Sequence, residues 1–260
     1  MVVKTTEEVE LLRENAIIVS KTLAEVAKHI KPGVKTITLD EIAEDFIRRE
    51  GAVPGFKGYR GFPGTLCVSV NEEVVHGIPG ERVLINGDIV SIDCGCIKHG
   101  YYGDSAYTFP VGEVKPEVMD LLRRTKESLF RALNAAQTGK RVGDISASVQ
   151  EYVESFGYSV VRELVGHGLG TQLHEKPDIP NYGRKGSGTK LPDGLVICIE
   201  PMINLGTKNI VQAADGWTIR TSDRQPSAHF ELTVIVRKDT ADVLSTFSYI
   251  EEVLGPEMII

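Results

Sequence analysis

The pattern of the first half of this chain returns in its second half. A shift of 106 residues lays Gly33 on Gly139, Lys35 on Arg141, Leu39 on Ile145, Phe46 on Tyr152, Ile47 on Val153 and Gly51 on Gly157. A shift of 107 lays Leu84 on Leu191, Gly87 on Gly194, and Val90-Ser91-Ile92-Asp93 on Ile197-Cys198-Ile199-Glu200. Either match alone is what common apolar patterns produce by chance. Two nearly equal shifts in the same order, with a carboxylate closing the same strand each time, argue for a duplicated unit. Duplicated α/β halves form a pseudo-twofold body, and the cleft between them is a natural ligand site. The polar segment Gly112-Glu113-Val114-Lys115-Pro116 is the join. The expected organisation is one domain over 1–260, with halves of about 1–112 and 113–240 and a tail of about 241–260.

Helical periodicity runs through Val9, Leu12, Ala16, Val19, Leu23, Val26 and Ile30, after a capping-box pair, Thr5 and Glu8, and before the stop at Pro32-Gly33. Thr38 with Glu41 has the same capping spacing, and Leu39, Ile42, Ala43, Phe46 and Ile47 follow until Gly51. Strands are expected near Thr65–Val70, Asp88–Cys94 and Asp104–Pro110, then helices near Pro116–Gln137 and Asp144–Phe156. Further strands are expected near Tyr158–Glu163, Leu195–Leu205, Trp217–Thr221 and His229–Arg237.

Charge excludes whole classes of function. Lys and Arg total 29 against 36 Asp and Glu, a formal net charge of −7. That balance argues against nucleic-acid readout or a membrane-surface role, which need a basic footprint. No apolar stretch approaches the roughly 18 residues of a transmembrane helix. The acidic start, MVVKTTEEVELL, lacks the basic and apolar regions of a signal peptide, so a cytoplasmic location is expected. The cysteines Cys67, Cys94, Cys96 and Cys198 then read as reduced thiols.

Several familiar patterns are incomplete. His174-Glu175 has no second histidine at HExxH spacing. GRKGSGTK, from Gly183 to Lys190, has threonine where a P-loop has its lysine, and reads as an exposed polar loop. Gly166–Gly170 lacks the last glycine of GxGxxG. Cys94-Gly95-Cys96 has no second cysteine pair for a structural zinc site.

The carboxylates and histidines carry more. Asp93 and Asp104 flank a hairpin, and a turn centred on Lys98-His99 would set them directly opposite. Cross-strand neighbours lie about 4.5–5.5 Å apart at Cβ, where like charges repel unless a cation intervenes. Gly100 also permits a three-residue turn with a bulge, in another register, and two exposed loop aspartates are the plain alternative. Glu200 closes an apolar strand before Pro201, where an unpaired buried carboxylate is costly. Glu231 shares a strand face with Thr233, opposite Phe230, Leu232, Val234 and Val236. His167 stands between glycines that let backbone or ligand approach closely, with His174 seven residues on. His76 falls at a strand-to-turn junction.

Together these segments resemble the methionine aminopeptidases, specifically their short type I form. The matching stretches are NEEVVHGIPG, SIDCG with YYGDSAYTF, GHGLGTQLHEKP, ICIEPMI and GWTIRTSDRQPSAHFELTVIV. With the helices before them they reach from the first helix to about residue 237. Neither a type II insertion nor an N-terminal zinc-binding extension is expected.

The resemblance implies an α+β pita-bread fold: two pseudo-twofold-related α/β halves, a central curved, antiparallel-rich sheet, and helices on the outer face. It implies Asp93, Asp104, His167, Glu200 and Glu231 as ligands of two divalent ions. Such hard donors suit manganese, iron or cobalt better than a thiolate-type zinc site. The bound ions would activate water, and the substrate's free α-amino group would reach a metal. Glu200 would carry the proton to the leaving amine, His174 would stabilise the oxyanion, and His76 would hold the peptide nitrogen.

Tyr59, Phe62, Cys67, Leu173 and Trp217 would line the methionine pocket beside His76 and His174. Leu173 stands where the family has an aromatic residue and Phe62 where it has tyrosine; both stay apolar, as a thioether pocket requires. Cys67 reads either as pocket wall or as an inert buried thiol. The implied substrates are the N-termini of nascent polypeptides with a small second residue, met by a monomer in transient contact with the ribosome. The chain's own Met1-Val2 fits that preference. A proline-specific dipeptidase of the same fold and a non-catalytic pita-bread binding module are the alternatives. Two dications would bring the net charge from −7 to about −3, so metal should stabilise the fold.

Overall fold

In the computed structural model, which describes residues 3–255, the first helix starts where its capping box sits. Thr5 Oγ1 accepts from Glu8 N, and Glu8 Oε2 accepts from Thr5 N. Helix α1 (Thr6–Ala27) then buries Val9, Leu12, Ala16, Val19, Leu23 and Val26. Helix α2 (Thr36–Arg49) begins earlier than its sequence suggests, and the expected Thr38–Glu41 box does not form. Its opening N–H groups are satisfied from elsewhere, Thr36 N by Arg82 O and Ile37 N by Gly80 O. With those donors paired, no side-chain cap is needed.

The first half continues with β1 (Val53–Pro54), β2 (Leu66–Val70), β3 (Glu73–Val75), β4 (Ile89–Lys98) and β5 (Tyr101–Pro110). The second half opens on α3 (Pro116–Ala135) and α4 (Val142–Glu154), followed by β6 (Ser159–Val160), β7 (Gly166–Gly168) and β8 (Glu175–Ile179). Then come β9 (Val196–Ile199), β10 (Met202–Asn204), β11 (Ile210–Gln212), β12 (Ile219–Thr221), β13 (Ser227–His229), β14 (Leu232–Ile235), β15 (Asp242–Val243) and α5 (Ser248–Leu254). The expected strand 195–205 is cut in two at Glu200-Pro201, where proline has no N–H for the ladder. Residues 183–190 form an exposed loop, as expected. Met1 and Val2, and the last five residues of the expected tail, lie outside the described residues.

Antiparallel pairing dominates. In the first half β4 lies between β2 and β5; in the second, β9 lies between β7 and β14. The two sheets meet where Ala106 and Glu231 exchange backbone hydrogen bonds, with Glu231 N to Ala106 O at 2.9 Å. Helix α1 packs on β4 and β5, and α3 on β9, β10 and β13, so helices cover the outer faces. One apolar core, including Leu23, Ile92, Phe109, Leu121, Ile197 and Phe230, runs through both halves.

The β4–β5 hairpin corrects the expected register. Its turn is centred on His99-Gly100, so Asp93 faces Ala106 and Asp104 faces Gly95. Both turn residues have positive φ, 54° and 79°, which a two-residue turn of this kind demands and which glycine in second place favours. A turn at Lys98-His99 would have forced lysine into that conformation. Asp93 and Asp104 are therefore diagonal neighbours.

Candidate metal centre

Five elements bring one side chain each to the junction of the halves. Asp93 lies within β4, opposite Cys67 of β2 and Ala106 of β5. Asp104 projects from β5. Glu231 immediately precedes β14, Glu200 immediately follows β9, and His167 is the middle residue of β7, opposite Cys198. Glycine is needed on either side of His167. A Cβ at Gly166 would lie 2.4 Å from Cys198 O, and one at Gly168 2.8 Å from Lys176 O. The glycine pair thus lets β7 fit between β8 and β9, a strand that periodicity does not reveal.

These groups converge on a small volume. Ligand-type atoms of Asp104, His167, Glu231 and Cys198 all lie within 4.8 Å of one another. His167 Nε2 is 3.8 Å from Asp104 Oδ2 and 3.5 Å from Glu200 Oε1. Its Nδ1 lies 3.0 Å from Gly168 O, and since a carbonyl only accepts, the proton is on Nδ1 and the Nε2 lone pair faces the carboxylates.

The acidic groups are held away from charge. Burial raises Asp93 to about 6, with partial relief from His229. Burial lifts Asp104 well above its usual range, as do the charges of Glu231, Asp93 and Glu200. Glu200 is raised by burial and by Asp93, and Glu231 by burial, Glu200 and Asp93. Asp93 and Asp104 still meet across the diagonal, close enough for the charge of Asp93 to add to the burial that raises Asp104. Burial pushes His167 down to about 3, so its imidazole is neutral and free to donate a lone pair.

Buried Asp93 Oδ1, Asp104 Oδ1 and Glu231 Oε1 have no hydrogen-bond partner. Orphaned carboxylate oxygens beside a neutral imidazole fit a divalent cation, which would offset the repulsion that the protein alone leaves. Cys198 is a neutral neighbour. Burial raises its thiol well above its usual range, and Thr233 Oγ1, which donates to Asp104 O, is 3.4 Å from its sulfur.

A cavity of about 320 Å³ opens from this cluster. Tyr59, Phe62, Cys67, His76, Leu173, His174 and Trp217, all expected around a substrate, line it together with the five acidic and imidazole groups. His174 meets His167 edge-on with ring centroids 4.4 Å apart, and its Nδ1 is 3.0 Å from Tyr59 OH. His76 follows β3 with φ of 59°, its ring 6.4 Å from that of Trp217. Trp217 meets Phe62 edge-on at 5.1 Å. Burial, with repulsion from His229 and His174, lowers His76 to about 4.

Three residues were missed by sequence reasoning. Phe56 and Arg60 also line the cavity. Phe56 stacks under β4 where a Cβ at Gly95 would lie 2.5 Å from its ring. His229 is buried with Nε2 3.6 Å from Glu200 Oε2 and without a hydrogen-bond partner. Its signal was parity: His229, the last residue of β13, and Glu231, just before β14, are two positions apart, so the alternation that turned Glu231 inward turned His229 inward too.

Residues 10–238 match metallopeptidase family M24. Methionine aminopeptidase 1 of Bacillus subtilis is 50% identical over 94% of this chain and 99% of its own length. The crystal structure of methionine aminopeptidase from Thermotoga maritima is 42% identical, with a TM-score of 0.93 over 95% of this chain and 99% of that one. Prolidase from Pyrococcus furiosus, 24% identical with a TM-score of 0.76, shares the fold, and this chain spans 65% of it. The α+β pita-bread architecture expected from the sequence is the one found. On this sequence match and this fold, the chain belongs to metallopeptidase family M24 and, within it, to the type I methionine aminopeptidases.

Proposed function

We propose that this protein removes the N-terminal methionine from polypeptide chains whose second residue is small. Asp93, Asp104, His167, Glu200 and Glu231 would hold two divalent ions, manganese, iron or cobalt, whose charge matches that of the four carboxylates. Bound divalent ions supply a lowered pKa for water and a polarised carbonyl.

The chain's own residues do the rest. Glu200, set between the imidazoles of His167 and His229, accepts the water's proton and delivers it to the departing amine. His174, steadied by Tyr59 OH, hydrogen-bonds the carbonyl oxygen as negative charge develops on it. His76, kept neutral by burial, holds the peptide nitrogen on the leaving side. Phe62, Trp217, Leu173 and Cys67 take the thioether side chain in an apolar, polarisable wall. The substrate's free amino group is drawn to the acidic end, which restricts cleavage to the first residue.

The supporting observation is that the acidic cluster and the apolar wall open into one cavity. We further propose that the enzyme acts as a monomer in the cytoplasm on nascent chains, with transient contact to the ribosome. Among the described residues, no helix is long and apolar enough to cross a membrane.

The test is metal-stripped protein reloaded with manganese, cobalt or iron(II) and offered Met-Ala-Ser or Xaa-Pro peptides. Free methionine released from the former alone is the expected result. No release with any of these metals, or cleavage of Xaa-Pro instead, overturns the reading.

A further inference from the structure

A buried ion pair lies under the loop that carries Leu173 and His174. Lys4, in the extended segment before α1, donates its backbone N–H to Gly194 O, and its neighbour Val3 bridges Leu195. The Lys4 ammonium reaches Glu175 Oε2 at 2.8 Å, with side chains only 4% and 14% exposed. Gly170 clears the space, because a Cβ there would lie 2.2 Å from both Lys4 Nζ and Glu175 Oε1. The other carboxylate oxygen accepts Gln172 N at 3.4 Å. Glu175 itself follows His174 directly and faces Gly168, next to His167, across the β7–β8 ladder. Both oxygens of one carboxylate are thus committed, one to the segment before α1 and one to the loop's own backbone.

Burying such a pair is a poor source of stability, since desolvation offsets most of the attraction. What it fixes is geometry. We propose that Lys4 is a positioning residue: through Glu175 it anchors residues 169–175 so that His174 keeps its aim into the cavity. The proposal rests on the reading that His174 acts on the substrate carbonyl. Lys4 touches no substrate and lies behind the loop. The Tyr59 hydroxyl steadies the His174 ring from one side, and the Lys4–Glu175 pair steadies its backbone from the other.

The test uses the full metal-loaded chain and Met-Ala-Ser. Lys4→Met should lower kcat by about tenfold or more while KM changes by less than about threefold, because small misplacements of a catalytic group act on the chemical step. Lys4→Arg, which keeps the charge and the donor, should restore kcat to within about threefold. In a His174→Ala background, Lys4→Met should cost nothing further, since the two act as one unit. The paired variant Lys4→Met with Glu175→Met removes both charges and should fold as well as the parent, because apolar replacement of a buried pair is often neutral or stabilising. Its kcat should nevertheless stay low. Unchanged kcat in Lys4→Met, losses that multiply with His174→Ala, or recovery of kcat in the paired variant would each overturn the proposal. Failure of the unmodified protein to release methionine would instead overturn the function it rests on.

Discussion

The central strands of the two halves occupy equivalent places and present their carboxylates differently. Asp93 sits inside the ten-residue β4, laddered on both sides, with its short side chain close to a fixed backbone. Glu200 stands just past the four-residue β9, before a proline, its carbonyl held by Asn181 Nδ2 at 2.9 Å. Its longer side chain reaches between His167 and His229, at 3.5 and 3.6 Å. Their titration differs as well. His229 relieves Asp93, which rises to about 6, whereas Asp93 adds to the burial that lifts Glu200 well above its usual range. Carboxylates whose environments push their pKa values apart divide into distinct roles. Under the proposed function, Asp93 would serve as a fixed ligand and Glu200 as the group that moves a proton.

Removing a fixed ligand is the hardest test of that division. Asp93→Ala or Asp104→Ala should reduce methionine release to background. Calorimetric titration should show a loss of metal affinity beyond the roughly 10- to 100-fold that follows loss of an outer partner. Glu200→Gln keeps an oxygen donor but no proton acceptor. Its kcat should fall about 10²- to 10⁴-fold, with a smaller loss of metal affinity than either aspartate variant. Equal metal loss in all three would erase the contrast between the halves.

A third test is metal-dependent melting. Asp93, Asp104, Glu200 and Glu231 all have raised folded-state pKa values without metal. The folded state then binds protons that the unfolded chain has released, so this contribution is present below about pH 4; the share of Asp93 is lost as pH rises through about 6, and the other three follow at their own raised values. His76 and His167, lowered to about 4 and about 3, act oppositely and lose their contribution as pH falls below the histidine range. Near pH 8, saturating manganese should therefore raise Tm by about 5–10 °C, and by clearly less at pH 5, where it must displace protons. An equal gain at both pH values would show that the carboxylates are not the site. The smallest effect is expected at Asn181→Ala, which leaves the Glu200 carbonyl unpaired at a cost of about 1–3 kcal/mol and should lower Tm by a few degrees.

Local physics was legible where local physics decides. The α1 cap and its apolar stripe follow from neighbouring residues, whereas Pro201 divided a strand that was expected to run on to Leu205. The start of α2 was not, because residues 80 and 82 satisfy its first donors from across the fold. The hairpin register turned on which dipeptide tolerates positive φ, and His99-Gly100 meets that demand better than Lys98-His99. The β7 strand escaped because glycine has no strand preference; only the crowding by Cys198 O and Lys176 O explains it. All five residues that the family resemblance implied as ligands nonetheless line one cavity, which neither periodicity nor any single motif indicated. His229 went unread for want of any local mark beyond its parity with Glu231.

Diffraction from crystals grown with manganese, collected at an anomalous wavelength, would locate the metal ions themselves. Two anomalous peaks are expected within the cluster formed by Asp93, Asp104, His167, Glu200 and Glu231, both lost in Asp104→Ala. No peak there, or peaks that survive that substitution unchanged, would contradict the metal-site assignment.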